Sequence, residues 1–376
     1  MRAATTRAVR WHGPGDVRLD EVEAPPPGLG EVRVRPAFVG VCGSDLHEVL
    51  DGPHAIPVGR PHGLSGAEAP LVLGHEFSAV VESTGPGVTG LAAGDRVAVE
   101  PNYRCGICRA CRSGRYHVCD QFGFAGLMGD GGMADLATLP AYMLHLLPDE
   151  VDLAEAALLE PAAVALHAVR RSGIGPGESA VVVGLGPVGL LVCALLRLRG
   201  VTEVIGVEPA AQRRHLASRL GAARVIDPGG VSPADTTENI RALSAGGADV
   251  AFEVVGHQAT FDTALGSVRA GGTLLLLGLA DELRIDGFAT VNAEVTIRAS
   301  VGYNACHREL IDLVASGALN LSAFTGDQVE LAQAPQMLRD LAQGRRQGLK
   351  TLVRCAGAQD DDRAALVAQP VPSAVS

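Results

Sequence analysis

The chain has 376 residues, which is too long for one ordinary core and suits two domains. Hydrophobic residues make up 47% of it, so a packed interior is expected. Its formal net charge of -11 repels phosphate backbones and anionic membrane surfaces, which argues against nucleic acid or a membrane as a partner.

The first stretch, "MRAATTRAVRWHGPGD", has no apolar core of signal-peptide length. No apolar run in the chain reaches the length of a membrane span. A cytoplasmic location is therefore expected. In that reducing compartment, closely spaced cysteines favour metal binding over disulfides.

Up to about residue 155 the sequence is typical of β-structure. Short β-branched runs such as "VRVRPAFV", "FSAVVEST" and "DRVAVEP" are separated by Gly and Pro turns, a spacing that predicts a compact barrel-like domain. The stretch "EAALLEPAAVALHAVRRSG" then places small and aliphatic residues at helical spacing and predicts a helix.

From Glu178 onward, apolar runs alternate with amphipathic segments. Strands are predicted at 180–183, 204–207, 224–226, 250–254, 273–277 and 295–299. This alternation indicates a parallel sheet covered on both faces, and six strands are enough for a dinucleotide-binding domain. The segment from about residue 300 to 354 is expected to return to the first domain, because it is too short to fold alone.

Three glycines follow the first of these strands in a G-x-G-x-x-G array. Gly184 allows a tight turn, Gly186 lets the backbone approach a pyrophosphate, and Gly189 lets helix and strand pack closely. Pro187 and Val188 stand at the predicted helix start, whose free amides can bind phosphate. The alternative is a glycine-rich turn that binds nothing.

The next strand ends at Glu208, nineteen residues after Gly189. A carboxylate at this position can accept hydrogen bonds from a ribose diol and would repel a 2′-phosphate, so the sequence favours NAD over NADP. Arg213 and Arg214 count against that preference, because either could reach a phosphate. They could also flank the adenine or face solvent.

Half of the chain's eight cysteines lie in "CGICRACRSGRYHVC". Cys105, Cys108, Cys111 and Cys119 predict a closed tetrahedral zinc site, which is structural because no position is left open for a substrate. The alternative is four reduced thiols crowded into one loop.

A catalytic site must then lie elsewhere in the chain, and the candidate residues for it fall in three short stretches. They are Cys42, Ser44 and His47 in "GVCGSDLHE", His75 and Glu76 in "LVLGHEFSAVV", and Glu160 in "ALLEPAAVAL". Taken singly, each has a structural alternative: a buried thiol, a turn serine, a surface histidine, a strand-end pair or a helix cap.

Together these stretches resemble the zinc-dependent medium-chain dehydrogenases, and most closely their (R,R)-2,3-butanediol and sorbitol dehydrogenase branch. The resemblance rests on "CGSDLHE", "LGHEFSAVVESTGPGVTGLAAGDRVAVEP", the four-cysteine loop, "EPAAVALHAV", "GLGPVGLL", "VEPAAQRR" and "DVAFEVVGHQATFDTAL", in family order. It implies a GroES-like β-rich catalytic domain over 1–160 and 300–355, with a structural-zinc lobe at about 100–122. A doubly wound Rossmann domain is implied over 161–299, followed by a tail at 356–376 that is expected to be mobile.

The resemblance also implies roles for the site residues. Cys42, His75 and Glu160 match the ligands of a catalytic zinc, and Glu76 matches a glutamate that either binds the zinc or sits beside it. Which of the two glutamates contacts the metal stays open. Two zinc ions per chain and NAD are therefore expected.

A proton relay is implied from the alcohol to Ser44, the cofactor ribose, His47 and solvent. Lys350 matches a basic residue that touches the cofactor phosphates. The implied activity is the NAD-dependent interconversion of a secondary alcohol, a vicinal diol or polyol, with its ketone. Alternatives are a biosynthetic dehydrogenase acting on a cyclitol or sugar alcohol, and a non-catalytic nucleotide-sensing zinc protein. A homodimer or homotetramer with a small-molecule substrate is expected.

Overall fold

A computed structural model of the chain describes residues 4–346 and 348–358. These residues form two compact units. The first unit combines the chain up to Glu160 with the chain from Leu321 onward, and the second is Pro161–Asn320. The first unit is thus built from both ends of the chain.

The boundary at the return differs from the predicted one. The prediction ended the inserted domain at residue 299, whereas the second unit runs to Asn320. The physical reason is Arg170, whose guanidinium donates to the carbonyl oxygen of Ala305 at 3.1 Å and pairs with Glu309. These contacts hold the segment after residue 300 within the second unit.

The elements up to residue 160 are mostly strands. The strands are β1 Ala4–Gly13, β2 Asp16–Ala24, β3 Glu31–Gly40, β4 Leu71–Val72, β5 Glu76–Thr84, β6 Arg96–Val99, β7 Asn102–Tyr103, β8 Gly123–Phe124, β9 Ala137–Pro140 and β10 Leu144–Leu146. The α-helices are α1 Gly43–Asp51, α2 Arg109–Arg112 and α3 Leu153–Ala156, with 3₁₀ turns at Tyr116–Val118 and Ala141–Met143.

The second unit alternates strands and helices. Its strands are β11 Ser179–Val183, β12 Glu203–Val207, β13 Arg224–Ile226, β14 Ala248–Glu253, β15 Val268–Leu276 and β16 Thr296–Ala299. Its helices are α4 Leu159–Ser172, which begins in the first unit, α5 Pro187–Leu198, α6 Ala211–Leu220, α7 Pro233–Leu243, α8 Gln258–Gly266, α9 Gly287–Asn292 and α10 His307–Ala315.

The returning segment contributes two more strands to the first unit. It contains β17 Gln328–Glu330, α11 Ala334–Ala342 and β18 Leu352–Arg354, with 3₁₀ turns at Ser322–Phe324 and Leu331–Gln333. The larger sheet of the first unit has the order β10-β6-β5-β3-β18-β17, and β9 also pairs with β3. Its buried face includes Val32, Val34, Val39, Phe77 and Val81.

Three strand ends meet at one edge of this sheet. Gly40, the last residue of β3, is paired with Glu76 on β5 and with Leu352 on β18. Residues just outside these ends are therefore brought together, including Cys42 after β3 and Lys350 before β18. This edge of the sheet therefore brings together polar side chains from three distant parts of the sequence.

The second unit's sheet is entirely parallel, in the order β13-β12-β11-β14-β15-β16. This is the doubly wound order in which a ligand binds at the carboxyl ends of the strands, where the order reverses. All six predicted strands are present. Apart from their first residues, β11 and β12 are buried along their whole length, as expected for strands covered on both faces.

The helix predicted around residue 160 is in fact two helices. α3 ends at Ala156 and α4 begins at Leu159. Pro161 explains the break, because proline lacks the N–H that a helix interior needs and is tolerated only in the first turn.

Within the described residues, no helix combines the length and hydropathy needed to cross a membrane. Most of the predicted tail, from residue 359 onward, lies outside the described residues.

Candidate active site and cofactor loop

The four cysteines of the 105–119 loop converge. The Sγ atom of Cys119 lies 3.5 Å from that of Cys105 and 3.9 Å from that of Cys108, and the Sγ atoms of Cys105 and Cys111 are 4.0 Å apart. With Zn–S bonds of about 2.3 Å, the edge of a zinc–sulfur tetrahedron is about 3.8 Å. The four thiols therefore fit one zinc ion.

Backbone amides favour the thiolate form that a metal requires. The N–H of Cys108 donates to the Sγ of Cys105 at 3.3 Å, and that of Cys111 donates to the Sγ of Cys108 at 3.4 Å. The bond from Cys111, followed by one from Asp120, lowers the pKa of Cys108 to about 6. Helix α2 begins immediately after Cys108, so the local fold itself supplies these donors.

This lobe is tied to the sheet through Glu100, a buried residue that follows β6. The hydroxyl of Tyr116 donates to Oε1 of Glu100 at 2.6 Å, and Nε2 of His145 on β10 lies 2.8 Å from Oε2. The guanidinium of Arg104 stacks over the rings of Tyr116 and Tyr142. The four-cysteine loop is therefore anchored to the sheet through Glu100.

A second donor cluster lies at the meeting point of β3, β5 and β18. Cys42 is the N-cap residue of α1, His75 directly precedes β5, and Glu76 is the first residue of β5. One ligand atom from each of the three lies within 4.8 Å of the others. A thiol, an imidazole and a carboxylate form a donor set suited to zinc with an open fourth position.

Asp45 organises this cluster. It is fully buried in the first turn of α1, where Oδ2 accepts from the N–H of Cys42 at 2.9 Å and Oδ1 faces Nδ1 of His75 at 3.5 Å. That contact leaves Nε2 of His75 for a metal. Burial disfavours the charged imidazole, but Asp45 and Cys42 outweigh it and raise the pKa of His75 well above its ordinary value. The cluster therefore attracts a cation.

Lys350 forms a buried ion pair with Glu76. Its Nζ lies 2.6 Å from Oε1 and 2.5 Å from Oε2. Burial alone would lower the pKa of Lys350, but Glu76, Cys42 and Glu160 raise it above its ordinary value. Gly40 makes room for this pair, because a Cβ there would collide with Oε2 of Glu76.

The sequence resemblance matched Glu160 to a ligand of the catalytic zinc and Glu76 to a glutamate that binds the zinc or sits beside it, and it left open which of the two contacts the metal. Among the described residues, the cluster contains Glu76 and does not include Glu160. The reason is position: Glu76 adjoins His75 on β5, whereas Glu160 starts α4, where its charge acts on Lys350.

The sequence resemblance implied that Lys350 touches the cofactor phosphates. Its side chain is only 4% exposed, and its ammonium group pairs with the Glu76 carboxylate. The positive charge of Lys350 therefore lies at the donor cluster.

The two relay candidates share α1. Ser44 is half-buried in the first turn beside Cys42, and His47 is exposed one turn further along. Residues three apart on a helix lie on the same face. The centre of the His47 ring lies 6.3 Å from that of His54.

The glycine loop fits a pyrophosphate. Helix α5 begins at Pro187, and its N-cap residue, Gly186, provides no capping side chain. The space beside Gly186 is open, whereas a Cβ on Gly189 would collide with the carbonyl of Gly184. The amides of the first turn are thus available to an anion at the loop.

Glu208 lies beside this loop at the end of β12. It is 5% exposed, and its carboxylate accepts from the N–H of Leu185 at 2.9 Å and of Ala210 at 3.0 Å. The guanidinium of Arg213 is 3.8 Å away. In a doubly wound sheet, a carboxylate at the end of the second strand can accept hydrogen bonds from a ribose diol.

Comparison with known proteins matches both units. Residues 28–149 match the family described as "Alcohol dehydrogenase GroES-like domain", and residues 187–316 match the one described as "Zinc-binding dehydrogenase". The "(R,R)-butanediol dehydrogenase" of Bacillus subtilis (strain 168) is 37% identical over 327 residues, covering 86% of this chain and 92% of that protein. The chain belongs to the zinc-dependent medium-chain dehydrogenases.

Further members of the family are also similar. "Probable D-xylulose reductase A" of Neosartorya fischeri is 36% identical over 338 residues, covering 88% of this dehydrogenase and 90% of that protein. A zinc-binding dehydrogenase from Sinorhizobium meliloti 1021, solved with NADP bound, is 30% identical with a TM-score of 0.84, covering 93% and 99% of the two chains. This dehydrogenase is thus a zinc-dependent oxidoreductase that uses a nicotinamide cofactor, and the non-catalytic alternative is wrong.

Sequence reasoning missed Asp45. The signal was present, because an acidic residue three positions after Cys42 suits the first turn of a helix. The contact with His75 had no such signal, because it depends on how α1 meets β5.

Proposed function

We propose that this dehydrogenase interconverts a secondary alcohol carrying a neighbouring hydroxyl with its ketone, using NAD. The observation that carries the proposal is the cluster of Cys42, His75 and Glu76, in which His75 and Glu76 are buried and Cys42 is partly buried. The names of the relatives support the substrate class: 2,3-butanediol and D-xylulose each have a hydroxyl next to the carbon that would be oxidised or reduced.

The donor atoms of the cluster suit a zinc ion. Cys42 would bind as thiolate, Glu76 as a carboxylate whose charge Lys350 partly balances, and His75 as neutral imidazole. When bound, zinc polarises the substrate oxygen and the nicotinamide accepts hydride. Asp45 fixes the orientation of His75, and Lys350 fixes that of Glu76.

Proton transfer falls to α1. We assign Ser44 as the hydroxyl that takes the proton of the substrate alcohol and His47 as the group that exchanges it with solvent. The exposure of His47 suits that exchange, because an exposed imidazole can pass a proton directly to solvent.

The preference for NAD is assigned to Glu208. Its carboxylate can accept hydrogen bonds from the ribose hydroxyls and repels a 2′-phosphate. The NADP bound by the Sinorhizobium meliloti relative makes the choice between the two dinucleotides the property to measure.

The experiment is a panel of vicinal diols, polyols and simple alcohols with NAD and NADP, followed by absorbance of the reduced cofactor. The proposal expects kcat/KM for a diol or polyol to exceed that for ethanol. Equal or better activity on primary alcohols would remove the neighbouring hydroxyl from the proposal. Cys42→Ser serves as the inactive control.

A sugar alcohol or cyclitol is the second candidate. The specific observation is the relative named D-xylulose reductase, since the corresponding alcohol is a linear polyol. A ranking of xylitol or a cyclitol above 2,3-butanediol in the same panel would favour it.

We propose that this dehydrogenase forms a homodimer or homotetramer and is located in the cytoplasm. A homodimer or homotetramer is checked by size-exclusion chromatography with light scattering. A cytoplasmic location is checked by cell fractionation.

A further inference from the structure

The carboxyl edge of the second unit's sheet brings two carboxylates side by side. Val207 on β12 is in register with Ile226 on β13, so the residues that follow them, Glu208 and Asp227, are neighbours. The N–H of Glu208 donates to the carbonyl of Ile226 at 3.1 Å, which fixes this arrangement. Asp227 thus stands one strand away from the residue proposed to bind ribose.

Two arginines of α6 face these carboxylates. Arg213 lies 3.8 Å from Oε1 of Glu208, and its side chain is 41% exposed. Arg214 lies 2.8 Å from Oδ2 of Asp227, and its side chain is only 19% exposed. Each cation therefore has its own anion, and the formal charge of the four residues is zero.

Arg214 is held more tightly than Arg213. Besides the ion pair with Asp227, its NH1 donates to the carbonyl oxygens of Glu208 at 2.8 Å and of Pro209 at 2.6 Å. A guanidinium recognises phosphate through its forked donors. Here those donors are already committed to one carboxylate and two carbonyls.

We propose that Asp227 is a second residue that sets the preference for NAD, acting through Arg214. It neutralises and anchors the guanidinium that could otherwise pair with a 2′-phosphate. This inference rests on the proposed use of NAD and of Glu208 as its ribose acceptor. Glu208 repels the 2′-phosphate directly. Asp227 acts indirectly, because it keeps the guanidinium of Arg214 from pairing with that phosphate.

The turn around Asp227 allows a sharp substitution. Oδ1 of Asp227 accepts from the N–H of Gly229 at 2.9 Å. In Asp227→Asn the amide oxygen can keep that bond while the charge that holds Arg214 is lost. The variant therefore separates the ion pair from the local fold.

A matched control exists at the opposite end of the same two strands. Glu203 opens β12 and Arg224 opens β13, and their side chains pair at 3.3 Å. Glu203→Gln removes an ion pair between the same strands, away from the carboxyl edge.

The experiment titrates the zinc-loaded full-length protein with NADH and with NADPH by fluorescence and needs no turnover. Asp227→Asn should improve the ratio of NADPH to NADH affinity about tenfold, the effect expected of one freed charge-assisted contact. Adding Arg214→Gln should cancel that gain. Glu203→Gln should leave the ratio at the wild-type value.

An unchanged ratio in Asp227→Asn overturns the inference, as does a gain that survives Arg214→Gln or appears equally in Glu203→Gln. Wild-type protein that binds NADPH as tightly as NADH contradicts the proposed use of NAD, whatever Asp227 does. If the wild-type protein binds neither NADH nor NADPH, both the proposed use of NAD and the inference about Asp227 are overturned. The two proposals therefore fail by different readings.

Discussion

The ammonium of Lys350 lies 2.6 Å from Oε1 of Glu76, across 274 positions of sequence and with both side chains buried. Both residues stand at the strand ends that meet around Gly40. The pair therefore fixes the carboxylate of the donor cluster and closes the β5, β3, β18 edge at once.

Breaking this pair should be costly. Removing one partner of a buried ion pair typically destabilises by about 3–5 kcal/mol, because the other charge is left unpaired. Lys350→Met should lower the free energy of unfolding by that order in urea denaturation, and Lys350→Met with Glu76→Gln should recover part of it. Loss of NADH affinity with unchanged stability would instead support the phosphate-contacting role predicted from sequence.

The contribution of the Lys350–Glu76 pair to the free energy of unfolding should persist at alkaline pH. The pKa of Lys350 is raised in the folded state, so its contribution to stability is fully present below the ordinary pKa of lysine, about 10.4. That contribution is lost only as the pH rises through the raised folded value. Wild type and Lys350→Met should therefore differ in stability by a constant amount from pH 7 to 9. A difference that shrinks within that range would contradict the assignment.

The metal content should be two zinc ions per chain, because the four-cysteine cluster and the Cys42, His75 and Glu76 cluster share no residue and each has a donor set suited to zinc. Cys42→Ser should lose one zinc and turnover while the fold is kept, and Cys111→Ser should lose the other and mainly destabilise. Elemental analysis with circular dichroism reads both effects. One zinc in active wild-type protein would remove one of the two sites.

Asp45 should matter to the metal more than to the fold. Partners that orient a metal-binding histidine typically contribute about tenfold to hundredfold in metal affinity or activity. Asp45→Asn should weaken zinc binding by that order in a chelator competition. Asp51→Asn, on the same helix but exposed and paired with His54, is the matched control and should not.

How much of this could be predicted from sequence depends on the range of each contact. The four-cysteine loop was predictable because its ligands lie within fifteen residues. The central strands β11 and β12 were predictable because they are buried along almost their whole length. The length of β15 was underestimated. The strand starts at Val268, whereas the prediction started at residue 273, because the Gly271–Gly272 pair gives no strand pattern in the sequence.

Long-range pairing left no local pattern. Nothing near Lys350 indicates Glu76, and nothing near Asp227 indicates Arg214, because each pair depends on strand register. The choice between Glu76 and Glu160 stayed open for the same reason. Each of these relationships depends on which strand ends are neighbours, and hydrophobic periodicity gives no information about that.

Glu208 should set the choice between the two dinucleotides. An unpaired phosphate facing this buried carboxylate should cost on the order of a few kcal/mol, or roughly a hundredfold in kcat/KM, which sets the expected NAD preference. Glu208→Ser should lose activity with NAD, because the ribose acceptor is gone, and gain activity with NADP. The gain should come mainly through Arg213, whose side chain is 41% exposed, while Arg214 stays held by Asp227. Steady-state kinetics with both dinucleotides, repeated in Glu208→Ser/Arg213→Gln, measures this. If the second substitution leaves the gain intact, Arg213 is not the phosphate partner, and a wild-type preference for NADP would show that Glu208 has been placed wrongly.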